Sequence, residues 1–384
     1  MKSGNDIYSK DGVNVHEGDQ LSSYAGSICK NSYENSSFVD IHDISAGHFR
    51  GPRTFSFKNL PEGYTIDAAP DGIGTKVVMI DAAMTHRDAS RDVMAMTGGD
   101  IVRFGGLPLV FINVLDVATL GQEGDKTNTQ FREMITGLGE AAKEQNIVVL
   151  KGETAELGAC IGSENENATT KFNWAGMMIG VYHPDKMITG STLASGQKII
   201  ALREHGFRSN GSSSTRKAFA MKYGKDWWSN PDAADDIQKA AVPSILYARF
   251  LATMNGWYTD DFKAELTAHA VIHITGGGIP SKLGEDILFP RGLSGKLDNL
   301  WEPSEIMKNC AQWRGASDEE CYRTWNGGQG MLVVVDEVDT ERCITMAKEF
   351  NIEAQVAGTI TKEDTPKLEI VSQFSGNTIT ITSS

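Results

Sequence analysis

The chain has 384 residues, with 36 Lys and Arg against 50 Asp and Glu, for a formal net charge of −14. At about 100–200 residues per domain, this length accommodates two domains with a core each. A composition of 40% hydrophobic and 22% charged residues excludes wholesale disorder, and an acidic balance without a basic stripe excludes wrapping of DNA or RNA while permitting a small phosphorylated ligand.

In chain order, residues 1–60 read as polar and loop-rich, with one helix-like stretch at 19–30. A strand is expected at 64–69, then a turn at Pro70-Asp71-Gly72 and a second strand at 76–81. Residues 88–101 read as a helix, with Val93, Met96, Thr97 and Ile101 near helical spacing. A strand at 109–115 and an amphipathic helix at 128–145 follow, the helix aligning Phe131, Ile135, Leu138 and Ala142 on one face. The apolar strand 147–150 then runs into a turn at Lys151-Gly152-Glu153, a polar loop at 158–170 and a strand at 173–181.

His183-Pro184-Asp185 marks the expected boundary between domains 1–183 and 184–384. Beyond it, strands are expected at 197–202, 270–274 and 331–335, and helices at 216–223, 237–254 and 340–350. Strands alternating with helices in both halves predict two α/β domains. The tight turn at Pro70–Gly72 suggests antiparallel pairing in the first. The five cysteines are scattered, with no Cys-x-x-Cys, so they predict neither a disulfide framework nor a zinc site. No apolar run approaches the roughly 20 residues of a spanning helix. Residues 1–6 carry no secretory apolar core. A cytoplasmic location without membrane contact is expected.

Signatures for P-loop, Rossmann, zinc-protease and nucleophile-elbow sites are all missing from the sequence. What remains is a series of acidic and glycine-rich turns. In Asp71-Gly72-Ile73-Gly74-Thr75-Lys76, the glycines allow close approach of a phosphate, Asp71 offers a hard oxygen to Mg²⁺ and Lys76 a compensating charge; the same residues also make an ordinary β-turn. Asp92 and Asp100 lie eight residues apart on one helix, with Gly98-Gly99 beside the second. Gly152, Glu153 and Thr154 follow a strand, where they can serve a metal or a substrate amide, or cap a short helix. Asn210 and Gly211 precede a helix carrying Arg216 and Lys217, a combination suited to an anion. His273 ends a strand before Gly276, Gly277 and Gly278, either as an acid, base or phosphate donor or as a structural histidine. Thr324 and Asn326 lie in a polar segment before another strand.

Taken in order, these motifs resemble the aminoimidazole ribonucleotide synthetase (phosphoribosylformylglycinamidine cyclo-ligase) family over about residues 12–370. The resemblance begins at Tyr8-Ser9-Lys10-Asp11-Gly12-Val13 and continues through the segments above. It implies a homodimer of two-domain subunits whose N-terminal mixed sheets pair into a barrel, each with a C-terminal sheet flanked by helices. The implied reaction is ATP-dependent ring closure of formylglycinamidine ribonucleotide through an iminophosphate. By the same resemblance, Asp71, Lys76 and His273 are catalytic, and Asp71 and Asp100 hold Mg²⁺. Asp71, Gly72, Gly74, Thr75, Lys76, Asp100, Gly152, Glu153 and Thr154 bind ATP. Asn210, Gly211, Gly276, Gly277, Thr324 and Asn326 face the small-molecule substrate.

The chain departs from the family pattern at several points. Members usually carry Asn-Asp at Gly99-Asp100, Gly-Gly-Glu-Thr at 151–154 and His-Ser-Asn-Gly at 208–211, where this sequence has Lys151 and Arg208. Acids are usual at Asn113 and Asn173, and a glycine-rich loop is usual at 48–53. A lysine of the first helix falls opposite Gly26, with Lys30 one turn on. The Asn residues remove charge from a metal site, whereas Arg50, Arg53, Lys151 and Arg208 add positive charge toward phosphate.

Overall fold

A computed structural model describes residues 15–44 and 52–382. The motif at 8–13 and Arg50 lie outside the described residues. The chain divides into two units: the first runs through Gly98 and resumes over Pro108–Val181, and the second takes Gly99–Leu107 and the chain from Tyr182 onward.

In the first unit, helix α1 (Val15–Ser32) buries Leu21 and Cys29. Its last residue, Ser32, accepts a hydrogen bond from Val149 N at 2.9 Å. Where the sequence read as loop-rich, β1 (Val39–Asp43) and β2 (Arg53–Phe57) form an antiparallel ribbon. The cue was a short period-two pattern, Val39/Ile41 against Phe55/Phe57.

Strand β3 (Thr65–Gly72) runs straight through Pro70-Asp71-Gly72, so the expected turn does not form there. The chain bends one residue later, after Ile73 N donates to Trp174 O at 3.0 Å. The second expected strand is helix α2 (Val77–Ala83). Periodicity cannot separate a buried helix from a strand in so short an apolar run, and burial of Val78, Met79 and Ile80 gives a helix here. Helix α3 (Ala89–Val102), strand β4 (Leu107–Val117) and helix α4 (Lys126–Glu144) follow the sequence pattern closely. Asp125 caps α4 by accepting from Asn128 N at 2.9 Å.

Strand β5 (Val148–Glu156) continues through 151–156, replacing the expected turn or capping box. Parallel pairing to β4 holds it extended, from Val110↔Val148 to Val117↔Glu156, across a register shift at Phe111/Ile112. Strand β6 (Phe172–Tyr182) completes a sheet of order β3-β6-β4-β5. The β4–β5 pair is parallel and joined by α4. One face of the sheet buries Phe111, Leu115, Trp174 and Met178, while Val114 and Met177 point the other way and are 44% and 37% exposed.

The second unit is built on strands β7 (Lys198–Arg203), β8 (Ala268–His273), β9 (Ser294–Leu297), β10 (Gln329–Val335), β11 (Ala354–Thr361), β12 (Lys367–Val371) and β13 (Thr378–Thr382). They form a mixed sheet of order β13-β12-β9-β11-β7-β10-β8, in which β12 and β9 are parallel. Both faces are covered, which is why β7 is apolar over Ile199–Leu202 and β10 over Met331–Val335. Ile199, Ala201, Leu332 and Val334 pack beneath the π-helix Pro280–Leu288. Ile200, Leu202, Met331, Val333 and Val335 pack beneath α7 (Ala248–Met254) and α10 (Thr340–Glu349).

The helix expected at 237–254 is two helices, α6 (Ala234–Ala240) and α7, because Pro243 cannot continue a helical ladder. Helix α5 (Ser212–Tyr223) begins directly after Gly211, and α8 (Glu305–Arg314) and α9 (Asp318–Thr324) precede β10. Among the described residues, no helix is long and apolar enough to cross a membrane.

Candidate active site

In the first unit, Asp71 and Gly72 close β3, and a single 3₁₀ turn (Gly74–Lys76) enters α2. A side chain at position 72 would press on Trp174 O at 3.3 Å, and Gly74 takes φ +62. The turn points Gly74 and Thr75 to solvent and Lys76 inward. The Lys76 ammonium meets Asp92 Oδ1 at 2.8 Å, with both side chains almost wholly buried (2% and 1% exposed). Asp92 therefore engages Lys76, while Asp100 belongs to a different cluster in the second unit.

On β5, Gly152 and Glu153 are exposed and Thr154 is half-buried. A Cβ at Gly152 would meet Asn113 Nδ2 at 2.8 Å, and Asn113 Oδ1 accepts from Trp174 Nε1 at 3.0 Å. The amide that replaces a family acid thus serves the sheet interior. Glu153 pairs in register with Val114, and β3 and β5 lie at opposite edges of the sheet, three strand spacings or about 14 Å apart. Within this unit, the Asp71 turn and Glu153 are not brought together.

A second cluster in this unit was not legible in sequence. Thr170 donates its amide and hydroxyl to Asp81 Oδ1 at 2.7 and 2.9 Å, and His86 Nε2 reaches Thr170 Oγ1 at 2.6 Å. Burial pushes the Asp81 carboxyl up, but the bonds from His86 and Thr170 outweigh it and hold the group below its ordinary value. These contacts tie down the end of the polar loop 158–170.

In the second unit, His273 ends β8 fully buried, its Nδ1 3.4 Å from Asp100 Oδ1 and its Nε2 3.0 Å from Arg208 Nη2. Arg208 is 1% exposed and sits at φ +57, a left-handed conformation that costs a non-glycine residue strain. Its Nη1 donates to Glu204 Oε2 at 2.9 Å. Glu204 also accepts from Ile245 N and Tyr247 Oη, each at 3.2 Å. Burial, then the Asp100 hydrogen bond working against it, then the Arg208 charge leave the His273 imidazole pushed down to about 4. Burial raises the Asp100 carboxyl, but His273, Arg103 and Lys282 together bring it below its usual value.

Among the substrate-facing residues expected from sequence, Asn210 and Gly276 are neighbours, with 3.9 Å between Asn210 Oδ1 and a Cβ built on Gly276. Gly211, at φ +74, abuts Thr324 O and the Trp325 ring, and Trp325 Nε1 donates to Thr215 Oγ1 at 3.2 Å. Gly277 takes φ +86 at the entry to the π-helix. Asn326 is buried, with both ends of its amide used by backbone: Nδ2 to Gly206 O and Oδ1 from Gly328 N, each at 2.8 Å. Glu204 and Tyr247 carry no local motif; only an unusual acid at the end of an apolar strand hinted at the former.

The His273 environment predicts a pH effect on stability. Its burial and the charges of Arg208 and Arg103 lower its folded pKa against the opposing pull of Asp100, so the unfolded chain takes up a proton first as pH falls below about 6.5. The contribution is full above that pH and is lost toward about 4, on the order of 3 kcal/mol. Urea midpoints measured across this window should fall more steeply for the natural chain than for His273→Asn. Parallel curves would remove the assignment.

Among the described residues, no group of three or more His, Cys, Asp or Glu side chains is placed to cage a metal. Asp71 and Asp100 each offer one reachable carboxylate, half-buried and 31% exposed respectively. Each is a single hard-oxygen ligand, Asp71 in the first unit and Asp100 in the second, of the kind Mg²⁺ takes alongside phosphate oxygens and water.

Residues 56–182 match the family described as AIR synthase related protein, N-terminal domain, and residues 194–371 its C-terminal domain. The chain is 28% identical over 366 residues to phosphoribosylformylglycinamidine cyclo-ligase of Staphylococcus aureus, covering 95% of this chain and 98% of that one. In fold it resembles hydrogenase maturation protein HypE, solved in complex with ATP, at a TM-score of 0.55 and 15% identity over 86% of this chain and 88% of that one. Thiamine-monophosphate kinase from Stenotrophomonas maltophilia also matches at 0.55, with 11% identity over 90% of this chain and 95% of that one.

Proposed function

The chain belongs to the AIR synthase related family through both its domains, and on that premise we propose that it is an ATP-dependent cyclo-ligase that converts formylglycinamidine ribonucleotide to aminoimidazole ribonucleotide. The observation that carries this reading is the near full-length match to a curated cyclo-ligase. The domains of the reading are 1–183 for ATP and dimerisation and 184–384 for the substrate side, and it makes the enzyme cytoplasmic.

In the proposed reaction the terminal phosphoryl group of ATP passes to the formyl-amide oxygen, giving an iminophosphate and ADP. The amidine nitrogen then attacks that carbon, the C–O bond breaks and phosphate leaves as the ring closes. Such chemistry requires positioning and charge neutralisation more than covalent help from the protein. Asp71 and the amides of Gly74 and Thr75 would receive the phosphates, with the Gly72 amide holding the Asp71 carboxylate and Lys76 and Asp92 setting the charge behind the turn. Gly152, Glu153 and Thr154 would complete the nucleotide contacts. Mg²⁺, to which Asp71 and Asp100 would each offer a carboxylate, would neutralise phosphate charge. Asn210, Gly211, Gly276, Gly277 and Thr324 would line the substrate side, Asn326 holding their backbone and His273 directing Asp100.

A homodimer is part of the proposal. Ile66, Val114 and Met177 leave apolar surface open on the first-unit sheet, at 60%, 44% and 37% exposure. Such a surface suits burial against a second copy. A second reading, in which the chain acts on another substrate or is a catalytically silent nucleotide-binding dimer, is favoured by Arg208, a buried cation bound to His273 where the family pattern has histidine. The HypE and kinase likenesses support that breadth, since the fold is shared by proteins with other names.

One assay separates the readings. Purified chain supplied with formylglycinamidine ribonucleotide, ATP, Mg²⁺ and K⁺ should release ADP and the aromatic amine in equal amounts. ATP binding with neither product would favour the second reading.

A further inference from the structure

Two positions at which the sequence departs from the family pattern meet at one imidazole ring. A Cβ built on Gly99 would lie 2.7 Å from both ring nitrogens of His273 and closer still to Cε1. Gly99 has no positive φ, so the demand for glycine here comes from the approach of the ring and not from backbone conformation. On the other side of the ring stands Arg208. A guanidinium has donors only, so its Nη2 contact of 3.0 Å with His273 Nε2 requires a lone pair on Nε2. The imidazole proton then sits on Nδ1, which addresses Asp100 Oδ1 at 3.4 Å.

Arg208 is itself fixed. Glu204, whose side chain is fully buried, holds Nη1; the carbonyl of Ile245 accepts from the same nitrogen at 3.3 Å; and the Tyr247 ring lies 5.5 Å from the guanidinium carbon. The planar fork matters, because one ammonium on lysine cannot address carboxylate and imidazole in the same fixed geometry.

We propose that Gly99 and Arg208 act together as positioning residues: Gly99 leaves the space the His273 ring occupies, and Arg208, anchored by Glu204, fixes the tautomer in which Nδ1–H is presented to Asp100. The two departures form one device, and asparagine at 99 is incompatible with this ring position. The device orients the carboxylate assigned to the metal–phosphate site, so its effect on turnover rests on the proposed reaction, whereas its effect on the imidazole does not.

The test uses the full chain labelled with ¹⁵N-histidine at neutral pH. His273 is assigned among the eight histidines by its loss in His273→Asn. Long-range ¹H–¹⁵N spectra should show protonated Nδ1 and bare Nε2 in the natural chain. Gly99→Ala displaces the ring, and Glu204→Gln/Arg208→Met removes the donor without leaving a lone buried charge. Both should shift the signal toward Nε2–H while circular dichroism remains native. Turnover of formylglycinamidine ribonucleotide should fall about 10- to 100-fold in kcat, with the KM for ATP little changed, and Arg208→Lys should recover part of it.

A natural chain with its proton on Nε2, or an unchanged pattern in both folded variants, overturns the proposal. If the natural chain turns over none of this substrate, the reaction assignment fails and the spectra alone decide the positioning role.

Discussion

Lys76→Met should destabilise the first unit by about 3–5 kcal/mol, a large part of the 5–15 kcal/mol that holds a typical domain together. Lys76 and Asp92 meet at 2.8 Å with almost no exposure. Removing the cation leaves the Asp92 carboxylate in a place water does not reach, which is far costlier than losing a surface pair. The double change Lys76→Met/Asp92→Leu should recover much of the loss, because an apolar pair of similar volume need not be desolvated as ions. Chemical denaturation of the three chains measures both effects; a loss under about 1 kcal/mol in Lys76→Met would show that the pair is not structural. The stable double variant also tests function. If Lys76 supports phosphate as proposed, that chain folds but turns over ATP slowly.

Asp71→Asn should lower turnover by at least about 100-fold, the scale expected when a preorganised charge partner is lost at a reacting phosphate, while leaving the unit folded. The side chain stands at the end of β3, half-buried, accepting from Gly72 N at 2.7 Å. Asparagine keeps an oxygen for that bond and removes only the charge offered to Mg²⁺. ADP release and the thermal midpoint, measured together, separate the two roles. Undiminished turnover would remove Asp71 from the metal–phosphate site, and a collapsed midpoint would recast it as a residue of the turn. Under the same reading, His273→Asn should lower kcat more than it weakens ATP binding, and equal losses would make the histidine structural.

The sequence was most legible where one face of an element is buried. Phe131, Ile135, Leu138 and Ala142 mark α4 because their spacing is the helix period, and the structure buries all four. It misled where two local signals competed. Pro70-Asp71-Gly72 has turn chemistry, yet pairing in the sheet keeps it extended and moves the bend past Ile73. Residues 76–81 are apolar enough for a strand, but burial on several sides suits a helix as well. The segment 151–156 carries a capping signature that parallel pairing to β4 overrides.

By itself, the sequence determined the two-part α/β class, the family and the order of the acidic and glycine-rich motifs, because these rest on local composition and short spacings. Only the tertiary structure decided what those residues do to one another. Asp100 and His273 are 173 positions apart, and Arg208 and His273 are 65 apart. No periodicity links such distances. They are set by which strands neighbour β8 and by a glycine that leaves room for a ring. The departure at Arg208 reads in sequence as added charge toward a phosphate; in the fold it is a buried donor spent on Glu204 and His273, because the interior leaves a cation no solvent and obliges it to find partners.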